Sequence, residues 1–492
     1  MKLRHYLTLI LVFGLSKFAL AAPPGDLILV MPLEPPHLDP TAGAAAAIDE
    51  VTYANIFEGL TRIDETGAVR PALAESWTIS SDGLHYTFKL RKNVKFHDGS
   101  AFNADDVVFS LMRINAPDSA NAQKQLYAAI TSVVAENPTT VVVNLKQPNG
   151  RLLYNLGWGD AVIVAEETAS KNKIKPIGTG PFRFLSQVKG ERVDLERNSD
   201  YWGTKAQLTH VTFRFITDSA AQVAALMAGD VDAIPNLGAP ETVATFKSDP
   251  RFEVVIGTTE GEVILALNNA RPPFSDRRVR EALSYAIDRQ SIIDAAYFGY
   301  GQVIGSHFSP QHPAYKDLTG RFPYDPARAK KLLADAGMAQ GFSLTLKLPP
   351  PAYARRTGEI LIAQLAKIGI QVQISPMDWG QWLEQVFKEK DFEATVVAHT
   401  EPLDIDIYGQ DDYYFGYKNP KIKTLLTAIE ATQDQKRQNE LWGQIQEIVT
   451  DDAVNVFIFE LPKIGVWKKG LHGLWKNSPI QANDLTAVHW EL

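Results

Sequence analysis

Along residues 85–90 the side chains alternate, His85, Thr87 and Lys89 against Tyr86, Phe88 and Leu90. A period of two marks a strand with one buried and one wet face. Ser81-Asp82-Gly83 just before it predicts a hairpin turn. At Asn103 the period changes. Asn103 is placed to cap a helix whose inner stripe is Val107, Val108 and Leu111, and Asp105 and Asp106 fall where carboxylates favour the positive end of the helix dipole. The second half is clearer. Asp325-Pro326 predicts an N-cap followed by proline at the first helical position; Ala329, Leu332, Leu333 and Ala336 form one apolar stripe, and Gly337 ends it. Next come a strand over 342–348, a helix over 354–368 with Ile360, Leu361, Leu365 and Ile368 inward, and a strand in which Ile370, Val372 and Ile374 alternate. Strand, helix, strand predicts a right-handed crossover in a helix-covered sheet.

The amino-terminal region is of another kind. Lys2 and Arg4 precede an apolar run over 6–15 and then Ala19-Leu20-Ala21. This is the layout of a secretory signal peptide, expected over 1–21 and cleaved near Ala21. An uncleaved anchor is the other reading, although the run is about half the roughly 20 residues a membrane span needs. A strand is expected over 26–30, then a rigid loop with three prolines, Glu34-Pro35-Pro36-His37-Leu38-Asp39-Pro40, and a helix over 51–60.

Composition narrows the classes. The 492 residues include no cysteine, which excludes a lipid-modified cysteine, disulfides, thiolate metal centres and cysteine nucleophiles. A chain of this length divides into two or three domains and buries enough apolar surface to do without staples. The formal net charge is −8, more negative still once Lys2, Arg4 and Lys17 are removed. With no basic run, that argues against nucleic acid or anionic lipid as partner. There is no HExxH helix, GxxxxGK loop or GxSxG elbow. The glycines of Gly178-Thr179-Gly180-Pro181-Phe182 lack a following lysine and read as a backbone crossing. An enzyme is not expected, a triad assembled from distant residues being the reading left open.

Residues 399–417 concentrate chemistry. Glu401, Asp404, Asp406, Asp411 and Asp412 crowd together with Tyr408, Tyr413, Tyr414 and Tyr417 after the strand-like Ala394-Thr395-Val396-Val397-Ala398. Carboxylates at a strand end, walled by aromatics, suit a ligand ammonium group; a solvated acidic loop is the alternative. Arg355-Arg356, after three prolines, offers a fork for a carboxylate or else faces solvent at a helix start. His399 is either a metal ligand or a ring hydrogen-bonded to its acidic neighbours.

Longer stretches resemble one family over nearly the whole chain. They are Pro71-Ala72-Leu73-Ala74-Glu75-Ser76-Trp77, continuing through Tyr86-Thr87-Phe88-Lys89-Leu90-Arg91, Phe96-His97-Asp98-Gly99 and Asp105-Asp106-Val107-Val108-Phe109-Ser110. Others are Gly178-Thr179-Gly180-Pro181-Phe182, Tyr201-Trp202-Gly203, Ala228-Gly229-Asp230-Val231-Asp232, Val279-Arg280-Glu281-Ala282-Leu283-Ser284-Tyr285-Ala286-Ile287-Asp288 and Leu365-Ala366-Lys367-Ile368-Gly369-Ile370. The chain thus resembles the family 5 solute-binding proteins of peptide and nickel ABC transporters. The resemblance implies an α/β, two-lobed periplasmic binding protein fold of type II, in the large three-domain cluster. Lobe 1 would be 22–265 plus 460–492, with an inserted subdomain over 60–175, and lobe 2 would be 266–459. Crossings are implied near Glu262-Val263-Ile264-Leu265 and Phe457-Ile458-Phe459, and closure about them traps the ligand.

The implied function is capture of a short peptide or peptide-like amine in the periplasm by a monomer, and its delivery to the membrane permease, without cofactor or covalent chemistry. In dipeptide-binding relatives an aspartate of a Gly-Asp-Pro-Asp-like segment holds the ligand's amino group. The corresponding segment is Glu401-Pro402-Leu403-Asp404, with Asp404 the first choice and Glu401 the second, although the Pro-Asp spacing differs. Those relatives also turn an arginine toward the ligand carboxylate. Residues 348–353 hold no basic residue, so that role falls to Arg355 or Arg356 or is absent. The candidate ligand contacts are therefore Asp404, Glu401, Arg355, Arg356, His399, Tyr408, Trp379 and Glu34. A nickel-chelate or opine-type carrier, a ligand sensor and a secreted hydrolase are the competing readings.

Overall fold

The computed structural model describes residues 25–43 and 45–491; the segment read as a signal peptide lies outside them. Two strands of unusual length organise the chain. Phe252–Leu267 spans 16 residues and Asn455–Lys468 spans 14, against about 5–6 for an ordinary strand. They pair antiparallel twice, Phe252 to Thr258 against Lys468 to Pro462 and Glu262 to Ala266 against Glu460 to Asn455, and the register breaks between Thr258 and Glu262. Each strand therefore serves two half-sheets.

Beyond the break, one half continues through Ala233–Ile234, Asp26–Met31, His210–Phe215, Arg192–Arg197 and Phe182–Val188. The other continues through Ala394–His399, Ser343–Leu348 and Gln371–Pro376. Both faces of each half are covered. Leu29 and Phe213 lie on one side of the first half and Val30 and Val466 on the other. In the second half Leu265, Leu346 and Val396 face one core, Ile264, Val397 and Phe457 the opposite one. The crossover stands as the pattern predicts, with helix Ala352–Ala366 between parallel strands Ser343–Leu348 and Gln371–Pro376. Asp325 caps helix Pro326–Asp335 by accepting from Arg328 N at 2.9 Å.

A separate antiparallel sheet runs Ala74–Ile79, His85–Leu90, Thr140–Leu145, Ile130–Asn137. Tyr86 and Phe88 are fully buried against Val107 and Leu111 of helix Ala104–Ile114. Asn103 Oδ1 accepts from Asp105 N at 2.6 Å, and Asp106 returns the bond by accepting from Asn103 N at 2.8 Å. No helix among the described residues is long and apolar enough to cross a membrane.

The helix expected over 51–60 is instead Ala46–Thr52. Tertiary bonds end it early. Asn55 Nδ2 donates to Asn483 O at 2.8 Å, and Asn55 Oδ1 accepts from Leu485 N at 3.0 Å. The carbonyls of Asn55 and Ile56 accept from Phe182 N and Gly180 N, both at 2.9 Å, which holds this stretch to the neighbouring chain rather than in a helical turn. This is the backbone crossing read from the glycines. A Cβ on Gly178 would come within 2.0 Å of Ile56 O. Gly178→Ala is expected to destabilise the fold by about 3 kcal/mol, read as a lowered urea midpoint. Gly320→Ala, whose Cβ would meet nothing within 4 Å, should leave the midpoint in place.

Candidate functional site

Where the long strands change partners, a gap opens between the halves. It is a cavity of about 350 Å³ walled by Asn236, Thr259, Glu260, Thr400 and Lys463 among others, within the size range of small-molecule sites. A second space of about 30 Å³, bounded by Glu65, Gln311, His312 and Pro402, adjoins it at Glu260. The gap is shut at several points. Arg151 Nη2 bonds Glu430 Oε1 at 3.2 Å and its Nη1 donates to Leu403 O at 3.3 Å. Gln433 Nε2 donates to Tyr86 OH at 3.0 Å.

Beside the cavity runs a row of acids. Glu262 pairs with Glu460 on one neighbouring strand and with His399 on the other, so the three stand at one level of the sheet. Strand alternation places Glu262 and His399 on the face of Ile264 and Val397. Glu262 is 2% exposed and Glu460 1%. One oxygen of Glu460 accepts from Ser309 Oγ at 3.0 Å; its Oε2, and Oε2 of Glu262, meet no donor. Among the described residues no lysine or arginine acts on Glu260, Glu262 or Glu460. Burial pushes Glu460 up to about 8. Burial, and then the negative charges of Asp404, Glu260 and Glu460, push Glu262 well above its ordinary range.

The loop after strand Ala394–His399 is set by Leu403, whose φ of +61° is left-handed, and by the 3-10 turn Asp404–Gly409 with Ile405 and Ile407 buried. A side chain in that backbone region costs about 1–2 kcal/mol, which the two buried isoleucines offset. The turn aims Asp404 at two imidazoles. Oδ1 accepts from His307 Nε2 at 2.6 Å and Oδ2 from His399 Nδ1 at 3.1 Å. The other ring nitrogens meet Tyr408 OH at 3.4 Å and Tyr414 OH at 3.1 Å. Burial alone would raise Asp404; His307 and His399 outweigh it and hold the carboxyl below the usual range. His399, Glu401 and Asp404 bring donor atoms within 4.8 Å of one another. Both ring nitrogens of His399 already have partners, so the group offers an incoming metal no open imidazole.

Residues 68–418 match the model of the Bacterial extracellular solute-binding proteins, family 5 Middle. The chain belongs to this family. The Dipeptide-binding protein of Escherichia coli is 30% identical over 440 residues, 80% of this chain and 81% of that one. Heme-binding protein A of Haemophilus influenzae is 32% identical over 429 residues, 78% of each. Among solved structures, the periplasmic binding protein DppA of Helicobacter pylori in complex with the peptide STSA superposes with a TM-score of 0.81 at 27% identity, covering 95% of this chain and 98% of that one. The two-lobed α/β fold of the periplasmic binding proteins is therefore the fold of this chain.

This family 5 solute-binding protein gathers only part of the expected contact set. Asp404, His399 and Tyr408 meet around His307, and Glu401 is exposed on the same loop, its carboxylate accepting from Thr400 N at 3.3 Å. The rest lie apart. Arg355 is exposed. Arg356 donates to Ala296 O at 3.1 Å and faces Glu241 at 3.7 Å, a contact between the halves rather than a clamp. Trp379 is 42% exposed and packs edge-on against Trp382. Glu34 is spent on Gly190 N at 3.0 Å, pinning its proline-rich loop to the hairpin between Phe182–Val188 and Arg192–Arg197.

Asp411 and Asp412 pair with Lys423 and Lys390 at the surface, so for them the solvated-loop reading holds. The cation on the cavity wall of this solute-binding protein is Lys463 instead. It donates to Trp475 O at 2.8 Å, and burial pushes it down to about 8. A charge at the end of a buried apolar run was the available signal for Glu262 and Glu460, which flank Val263 to Leu267 and Val454 to Phe459. His307 carried no such signal.

Proposed function

We propose that the protein captures a short peptide or peptide-like amine in this cleft, in the periplasm, and passes it to an ABC permease with no covalent step. The observation that carries the reading is the cavity of about 350 Å³ between the halves, with the Glu260 carboxyl and the Lys463 amine on its wall. A molecule with an ammonium at one end and a carboxylate at the other has a partner at each. The dipeptide-binding name of the Escherichia coli relative and the peptide held by the Helicobacter pylori protein support it. The other relative, at similar identity, carries the name of a different ligand, heme.

The hinges are assigned to the register break. Among the described residues only the two long strands join the half-sheets there, at Thr258 to Glu262 and Glu460 to Pro462. This is slightly before 262–265 in the first strand and slightly beyond 457–459 in the second. Lobe 1 would then end at Thr258 and resume at Pro462, carrying the separate antiparallel sheet as its inserted subdomain.

Native mass spectrometry on protein purified from its own periplasm tests the function. The expected result is a bound mass that denaturation releases as a peptide or amino-acid conjugate. A released metal complex or porphyrin would replace the peptide reading.

A further inference from the structure

We propose that the solute carries a second cationic centre, received by Glu262 and Glu460, so that the protein selects dicationic solutes such as a basic dipeptide or a diamine over those with a single ammonium group. The inference rests on the reading of the cleft as the ligand site. Three carboxylates, Glu260, Glu262 and Glu460, stand at the crossing with no lysine or arginine acting on them. Asp404 needs no ligand charge, since His307 and His399 already bond both of its oxygens. The basic side chain on the cavity wall, Lys463, is turned to Trp475 O.

The geometry is of a built receptor rather than of a solvated acidic patch. Glu262 and Glu460 are cross-strand neighbours, 2% and 1% exposed, and each holds one oxygen that meets no donor. Buried acceptors are normally satisfied, and one left bare carries the whole desolvation cost. Ser309 serves Glu460 through Oε1, and Thr258 and Thr259 stand next to the same carboxyl. Glu260 lies two residues before Glu262 and lines both cavities. One ammonium at Glu260 leaves those oxygens without a donor. A second ammonium or guanidinium supplies N–H groups and charge together.

Isothermal titration of the dialysed protein with Ala-Ala, Ala-Lys, Lys-Ala, butylamine and putrescine tests this. The expected result is that a lysine-containing dipeptide binds at least about tenfold more tightly than Ala-Ala. In the double variant Glu262→Gln with Glu460→Gln, the ratio should fall toward one. Equal affinities in the unaltered protein, or a preference that survives in the folded double variant, would overturn the inference. Ala-Ala binding without a lysine preference keeps the peptide reading and removes only the second centre. Putrescine bound above butylamine, with every dipeptide silent, supports the dicationic class and removes the peptide reading.

Discussion

Between pH 6.5 and 8 the ligand-free protein is expected to lose stability as pH rises, and Glu460→Gln to remove about 2 kcal/mol of that loss. The sign follows from proton binding. In the unfolded chain Glu460 ionises near 4.5, whereas in the fold burial keeps it protonated up to about 8. Throughout that interval the folded state holds one more proton than the unfolded state. Each pH unit therefore costs the fold about 1.4 kcal/mol, and the cost stops growing once Glu460 ionises in the fold.

The lower bound of the window is set by histidines. His97 and His312, pressed from 6.5 to about 4 by burial, act in the opposite direction below 6.5 and are neutral in both states above it. Asp160, raised to about 7 by burial, adds to the slope of the unaltered protein. The comparison is therefore between the unaltered protein and the Gln variant, by urea midpoints at the two pH values. Glutamine keeps an acceptor for Ser309 Oγ, so the two proteins should differ little near pH 5 and diverge upward. Parallel slopes would mean that Glu460 ionises normally in the fold.

Arg280→Met is expected to destabilise the protein by about 3–5 kcal/mol. The guanidinium is 7% exposed and donates to three carbonyls, Ala453 O at 3.0 Å, Phe274 O at 2.7 Å and Asp452 O at 2.8 Å. It thereby ties helix Arg277–Ala286 to the end of helix Gln435–Asp451 and to the turn before its own first residue. Methionine fills similar space but leaves three acceptors without their donor, those of Ala453 and Phe274 in buried surroundings. Arg280→Lys should recover less than half of the loss, because one ammonium cannot span the planar fork. Urea unfolding with an unchanged m-value measures both. A loss below about 1 kcal/mol for the methionine variant would show that water replaces the guanidinium.

Local elements were legible where their causes are local. The alternation at 85–90, the capping box at Asn103, the proline-led helix after Asp325 and the crossover around Ala352–Ala366 depend on residues within a turn or two of one another. The helix expected over 51–60 failed for the converse reason. Its carbonyls are claimed by Phe182 and Gly180, and its Asn55 side chain by Asn483 and Leu485. At the site, the acidic segment was visible and the resemblance put Asp404 first; the two imidazoles that hold Asp404, and the surface lysines that pair with Asp411 and Asp412, come from the tertiary structure. The paired arginines were visible too, but helix phase put Arg355 into solvent and Arg356 on the contact with Glu241.

By itself, then, the sequence determined the strands, helices and turns, and through its long motif blocks the family and the two-lobed fold, because periodicity, capping and turn chemistry act over short separations. The tertiary structure alone decided what the cleft presents. His307 reaches Asp404 across 97 residues of chain. Glu262 and Glu460 become neighbours only when the two long strands pair. The raised carboxyl of Glu460 comes from burial and that of Glu262 from burial with neighbouring negative charge, which no residue possesses until the lobes are built around it.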